Sequence, residues 1–137
     1  MDNNFSKPLL KKLSAGLLQL HKALLVYEQK DYEGKFGPVG SPGRLLDLLM
    51  TSPQFDWLRA LSELIVGIDE MVDSKQEADA RQVAALLAYA KALLSPSRVP
   101  GSGDDRAGNF SQKYFSAMQK DPHVALAHGL VMQLLKN

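Results

Sequence analysis

TSPQFDWLRALSELIVGIDEMV, residues 51–72, is written in the period of a helix. Ser52 followed by Pro53 is a start signal: a serine hydroxyl accepts from an amide of the first turn, and proline at the first helical position gives up an N–H that has no partner there. After it, apolar residues recur at Leu58, Leu61, Ile65, Ile68 and Val72, in steps of 3, 4, 3 and 4. Those steps trace the seam of a helix packed on other helices. Trp57, Leu64 and Met71 widen the stripe on one flank and Val66 on the other, so the helix is expected to meet more than one neighbour. Asp56, Arg59, Glu63 and Glu70 fill the remaining arc, and Arg59 and Glu63 have the spacing of a surface pair. Gly67 sits inside the helix at a cost of about 1 kcal/mol against alanine, which predicts a second backbone crossing close by.

Upstream, the repeat is longer still. Leu10, Leu13, Leu17, Leu20, Leu24 and Tyr27 follow in steps of 3, 4, 3, 4 and 3, predicting an amphipathic helix over about 8–34 with Gly16 as its weak point. At about 1.5 Å per residue it runs roughly 40 Å. The stretch GKFGPVGSPG at 34–43, with four glycines and two prolines, ends it. Ser41-Pro42 repeats the start signal, and Leu45, Leu46, Leu48, Leu49 and Met50 make a short helix that runs almost directly into the central one.

Downstream, Ser74 and Glu77 have capping-box spacing, and Asp79 with Gln82 offers a slightly later start. The helix that follows runs to about Leu94 on Val83, Leu87, Ala90 and Leu94. Residues 95–109, SPSRVPGSGDDRAGN, have almost nothing to bury and read as a mobile loop. Helix resumes near Asp105 and carries Phe110, Tyr114, Phe115 and Met118, and Asp121-Pro122 opens a last helix on Val124, Ala127, Val131 and Leu134. Residues 1–6 are polar and expected to fray. Strand alternation is absent. The expected fold is all-α: one domain over 1–137, a compact bundle of five to six helices, with the long first helix and the central helix 53–73 as core and the 79–94 helix completing its body.

Composition narrows the function classes. Apolar residues make up 45% and charged residues 23%, as in ordinary globular proteins. There is no cysteine, which excludes disulfides, cysteine zinc sites and iron–sulfur clusters and fits a cytoplasmic location. A net charge of +1 provides no global field for nucleic acid. No apolar run approaches the roughly 18 residues of a membrane span. The first helix is interrupted by Gln19, His21 and Lys22 and is read as part of the mature protein, not a signal peptide.

The patterns that carry chemistry are mostly unmet. Ferritin-like di-iron bundles need Glu-x-x-His on facing helices, and no glutamate here has histidine three residues on. His21, His123 and His128 are followed four residues later by Leu25, Ala127 and Met132, so none pairs with a second ligand on its own face, and no metal or cofactor is expected. Asp69 and Asp73 share a face but read as solvated. The serines at 6, 41, 52, 74 and 111 stand where helix starts need them, and no G-x-S-x-G occurs, so no catalytic residue is assigned. GPVGSPGR lacks the lysine of a P-loop and follows a helix, yet Gly40, Ser41, Gly43 and Arg44 form a candidate anion-binding loop at a helix start. The short helix, tight turn and central helix have a helix-turn-helix outline, but the exposed face is acidic.

Aromatic residues supply the remaining candidates. Phe55, Trp57, Phe36 and Tyr114 are read as interface or pocket residues. Phe55 and Trp57 project about 200° apart on a regular helix, so either both enter the core from different sides or one faces a partner. The expected function is therefore a non-enzymatic cytosolic helical domain acting through protein–protein contacts as a homodimer. The alternative is a small-ligand binder with an aromatic-lined interior pocket.

Overall fold

A computed structural model describes residues 6–75, 79–95 and 105–136. Among them are seven helices and no strand: α1 (Ser6–Phe36), α2 (Pro42–Thr51), α3 (Pro53–Asp56), α4 (Arg59–Asp73), α5 (Ala80–Leu94), α6 (Asp105–Lys120) and α7 (Pro122–Lys136). Glu77 of the possible capping box, residues 1–5 and most of the 95–109 stretch lie outside the described residues.

The start signals work as side chains. Ser41 Oγ accepts from the Arg44 amide at 3.1 Å, Ser52 Oγ from Gln54 at 3.3 Å and Asp121 Oδ1 from His123 at 2.8 Å. The later of the two possible starts caps α5, with Asp79 Oδ1 accepting from Arg81 at 2.8 Å. α1 ends because Gly37 takes φ +94°, a left-handed conformation that glycine adopts freely, while its amide closes on the Glu33 carbonyl. The Glu33 carboxylate then accepts from the amide of buried Val39, pinning the chain as it folds back toward α2.

α1 is the spine. Leu10, Leu13, Leu17, Leu20 and Leu24 are buried against α4 on one side and α7 on the other. Each buried leucine stabilises the fold by about 1.5–3 kcal/mol. The seam of the central segment is buried as its spacing requires, at Leu58, Leu61, Ile65 and Ile68.

Four expectations change. The 53–73 helix is divided: Leu58 donates back to Phe55, three residues earlier, and the shallow turn at Trp57 and Leu58 separates α3 from α4. α7, and not the 79–94 helix, is the second long neighbour of α1, while α5 packs on α4, α6 and α7. The close approach falls at Gly16, where an added Cβ would stand 3.3 Å from Val131 Cγ2 and 3.4 Å from Leu134 Cδ1. At Gly67 the nearest atom is Leu86 Cδ2 at 3.9 Å, an ordinary contact with a side chain and not a backbone crossing. Arg59 also turns away from Glu63, pairing with Asp56 at 3.4 Å and donating to the Met50 carbonyl at 3.0 Å.

Candidate functional site

After Leu24 the buried line of α1 passes to Glu28, and Tyr27, the next residue of the apolar repeat, is only half-buried. Glu28 follows Leu24 by one turn and is 7% exposed, the one buried charged side chain among the described residues. α3 and the turn that follows it supply its partners. Trp57 Nε1 donates to Glu28 Oε2 at 2.9 Å, and Gln54 Nε2 donates to Glu28 Oε1 at 3.0 Å. The same amide nitrogen donates to Asp31 Oδ2 at 3.0 Å, and Asp31 pairs with Lys35 at 3.2 Å. Gln54 and Trp57, three residues apart, share the face turned to α1, while Phe55 is fully buried.

Beside this node lies a cleft of about 530 Å³, lined by Tyr27, Glu28, Asp31, Lys35, Pro53, Gln54, Lys113, Ser116 and Lys120. Carboxylates of α1 face lysines of α6 across it. The node is internally satisfied: among the described residues no buried side-chain nitrogen or oxygen lacks a hydrogen-bond partner. Its hydrogen bonds tie α3 to α1, which is a positioning task.

From Trp57 a line of rings crosses the bundle. Trp57 and Phe110 have centroids 5.3 Å apart, Phe110 and Tyr114 stack at 5.3 Å, and Tyr114 meets the His128 ring at 5.4 Å. The Tyr114 hydroxyl and His128 Nδ1 are hydrogen-bonded. Burial raises the phenol pKa and lowers that of the imidazole, so at neutral pH the phenol donates to a neutral ring. His21, half-buried like His128, plays the opposite role in its hydrogen bond. His21 Nε2 lies 2.8 Å from Ser62 Oγ, and Ser62 donates to the Leu58 carbonyl at 3.3 Å, so His21 is the donor of the first bond, with its pKa lowered by burial. Asp69, half of the noted acidic pair, accepts from the Ser14 hydroxyl of α1.

The sequence candidates separate. Phe55, Trp57 and Tyr114 are core residues packed on other rings, with Phe55 against Tyr32 at 5.8 Å. Phe36 is 68% exposed at the end of α1. In the glycine-rich loop, Gly40 takes φ +95°, Gly43 and the side chain of Arg44 are exposed, and the Ser41 hydroxyl occupies the Arg44 amide that an anion would use. Glu28 escaped the sequence reading. Its signal was present: a carboxylate one turn after the last leucine of the seam.

A second groove, of about 500 Å³, lies between α1 and α7, with Ala23, Val26, Leu126, Ala127 and Leu130 as its apolar lining. No group of three or more metal-ligating side chains occurs among the described residues, and no helix there is long and apolar enough to cross a membrane. Comparison with known protein families, curated proteins and solved structures finds no match to this chain.

Proposed function

We propose that this chain is a non-enzymatic cytosolic helical domain that works through protein contacts and self-associates as a homodimer. The observation that carries the reading is the exposed apolar stripe of α2. Phe36, itself exposed, closes α1, and six residues later α2 begins and turns Leu46 and Met50 outward, at 60% and 65% exposure. Leu46 and Met50 are one helical turn apart and form a stripe. Clustered exposure of this kind marks contact surfaces, whereas single exposed apolar residues do not.

The charges around that stripe suit a twofold contact. Arg44 and Asp47 lie on α2, and Arg59 with Asp56 sits beside Met50. Both signs are present, so an isologous pairing brings opposite charges together. The test is the sedimentation behaviour of the protein and of Met50→Glu. A dimer that becomes monomeric in the variant supports the reading, and a strict monomer at high concentration excludes self-association.

A small-ligand role is the second reading. It is favoured by the convergence of Glu28, Asp31, Gln54, Lys113 and Lys120 on one cleft. The site is polar and open, unlike the aromatic interior pocket expected for such a ligand. A retained small molecule in gently purified protein would move the assignment to this cleft.

A further inference from the structure

We propose that the groove between α1 and α7 is a docking site for an acidic amphipathic helix of a partner protein. The two helices run antiparallel, with Gly16 beside Val131 and Leu134 while Val26 and Lys30 share the groove with Asp121 and Leu126. α7 presents two apolar faces. Val124, Val131 and Leu135 are buried in the core. His123, Leu126, Ala127 and Leu130, at steps of 3, 1 and 3, line the groove instead, with Leu126 68% exposed and Leu130 57%. From α1, Ala23 and exposed Val26 complete the floor. A helix is about 10 Å across, and the trough between two parallel-lying helices accepts a third along its length.

Charge selects the occupant. Lys22 and Lys30 stand one turn to either side of Val26 and are exposed. α1 has no aspartate or glutamate from Ser6 to Tyr27, and α7 has none at all, leaving Asp121 as the carboxylate among the groove's lining residues. A second copy docked on this face by twofold symmetry would set Lys22 and Lys30 against their own equivalents, so this surface is distinct from the proposed dimer contact. A concave trough also fits a flat bilayer poorly. The complementary ligand is a helix with apolar residues at i, i+3 or i+4, and i+7, flanked by glutamate or aspartate.

The experiment uses two labelled synthetic helices of about 16 residues, roughly 24 Å long, with one leucine stripe and either glutamate or lysine flanks, titrated by fluorescence anisotropy. The glutamate peptide is expected to bind roughly tenfold more tightly than the lysine peptide and to weaken with added salt. Leu126→Glu abolishes that binding while keeping the helical spectrum and the oligomeric state, and Lys22→Glu with Lys30→Glu reverses the preference. Equal binding of both peptides, no saturable binding of either, or binding indifferent to Leu126→Glu would overturn the proposal. So would a dimer that Leu126→Glu dissociates, or vesicles of mixed phosphatidylserine and phosphatidylcholine that capture the parent protein alone while the peptides fail. Met50→Glu leaves peptide binding intact, so failure here and failure of the dimer reading are separable.

Discussion

The indole N–H of Trp57 donates to the buried carboxylate of Glu28 across 2.9 Å, joining the break in the central segment to the spine of the bundle. Removing either partner leaves the other, itself largely buried, without that bond. Trp57→Phe and Glu28→Leu should each cost about 1–3 kcal/mol in urea unfolding, and the double variant clearly less than the sum of the two. Additive losses would mean that the bond does not couple α3 to α1.

The two helical glycines should respond oppositely to alanine. Gly67→Ala meets only Leu86 Cδ2 at 3.9 Å and should gain up to about 1 kcal/mol, visible as a rise of a few degrees in Tm. Gly16→Ala must displace Val131 and Leu134, at 3.3 and 3.4 Å, so the same intrinsic gain is offset or reversed. Thermal melts of the two variants side by side check the contrast.

Neighbouring leucines of α1 offer a test of the helix's orientation. Leu17 is fully buried and Leu18 is 57% exposed. Leu17→Ala should cost about 2–5 kcal/mol, whereas Leu18→Ala should stay within about ±0.5 kcal/mol. Similar losses at both positions would contradict the orientation of the spine.

Acid should weaken the fold through its histidines. Burial lowers the pKa values of His21 and His128 below the ordinary 6.5, so the unfolded chain takes up protons first as pH falls. Their contribution to stability is present above about pH 6.5 and is lost progressively below it. Denaturation midpoints measured from pH 7.5 to 5 should fall, and His128→Gln should flatten the slope. Tyr114 acts at the other end. Its raised phenol pKa means that the unfolded chain ionises first near the ordinary 10.0, and stability declines as pH rises beyond it.

Apart from the division of the 53–73 helix, the helices were legible because each carries its own chemistry. Leu10 to Leu24 repeat in the helical period, and Ser41, Ser52, Asp79 and Asp121 stand where caps are needed. Packing was less legible, since it depends on which stripes meet. α7 looked like one more amphipathic helix, yet its short side chains and the gap at Gly16 let it lie along α1. Phe55 and Trp57 point apart on a regular helix, and both are buried because rings from α1 and α6 cover them from different sides. Glu28 was hidden by the same limit. Its partners, Gln54 and Trp57, lie 26 and 29 residues away, and only the fold brings them together.

The most direct test of the proposed contact role is the native mass spectrum of gently purified protein. The account predicts a dimer of the 15.1 kDa chain with no added mass, reverting to monomer in Met50→Glu. A monomer that retains a small molecule or a metal would contradict it and transfer the function to the cleft beside Glu28.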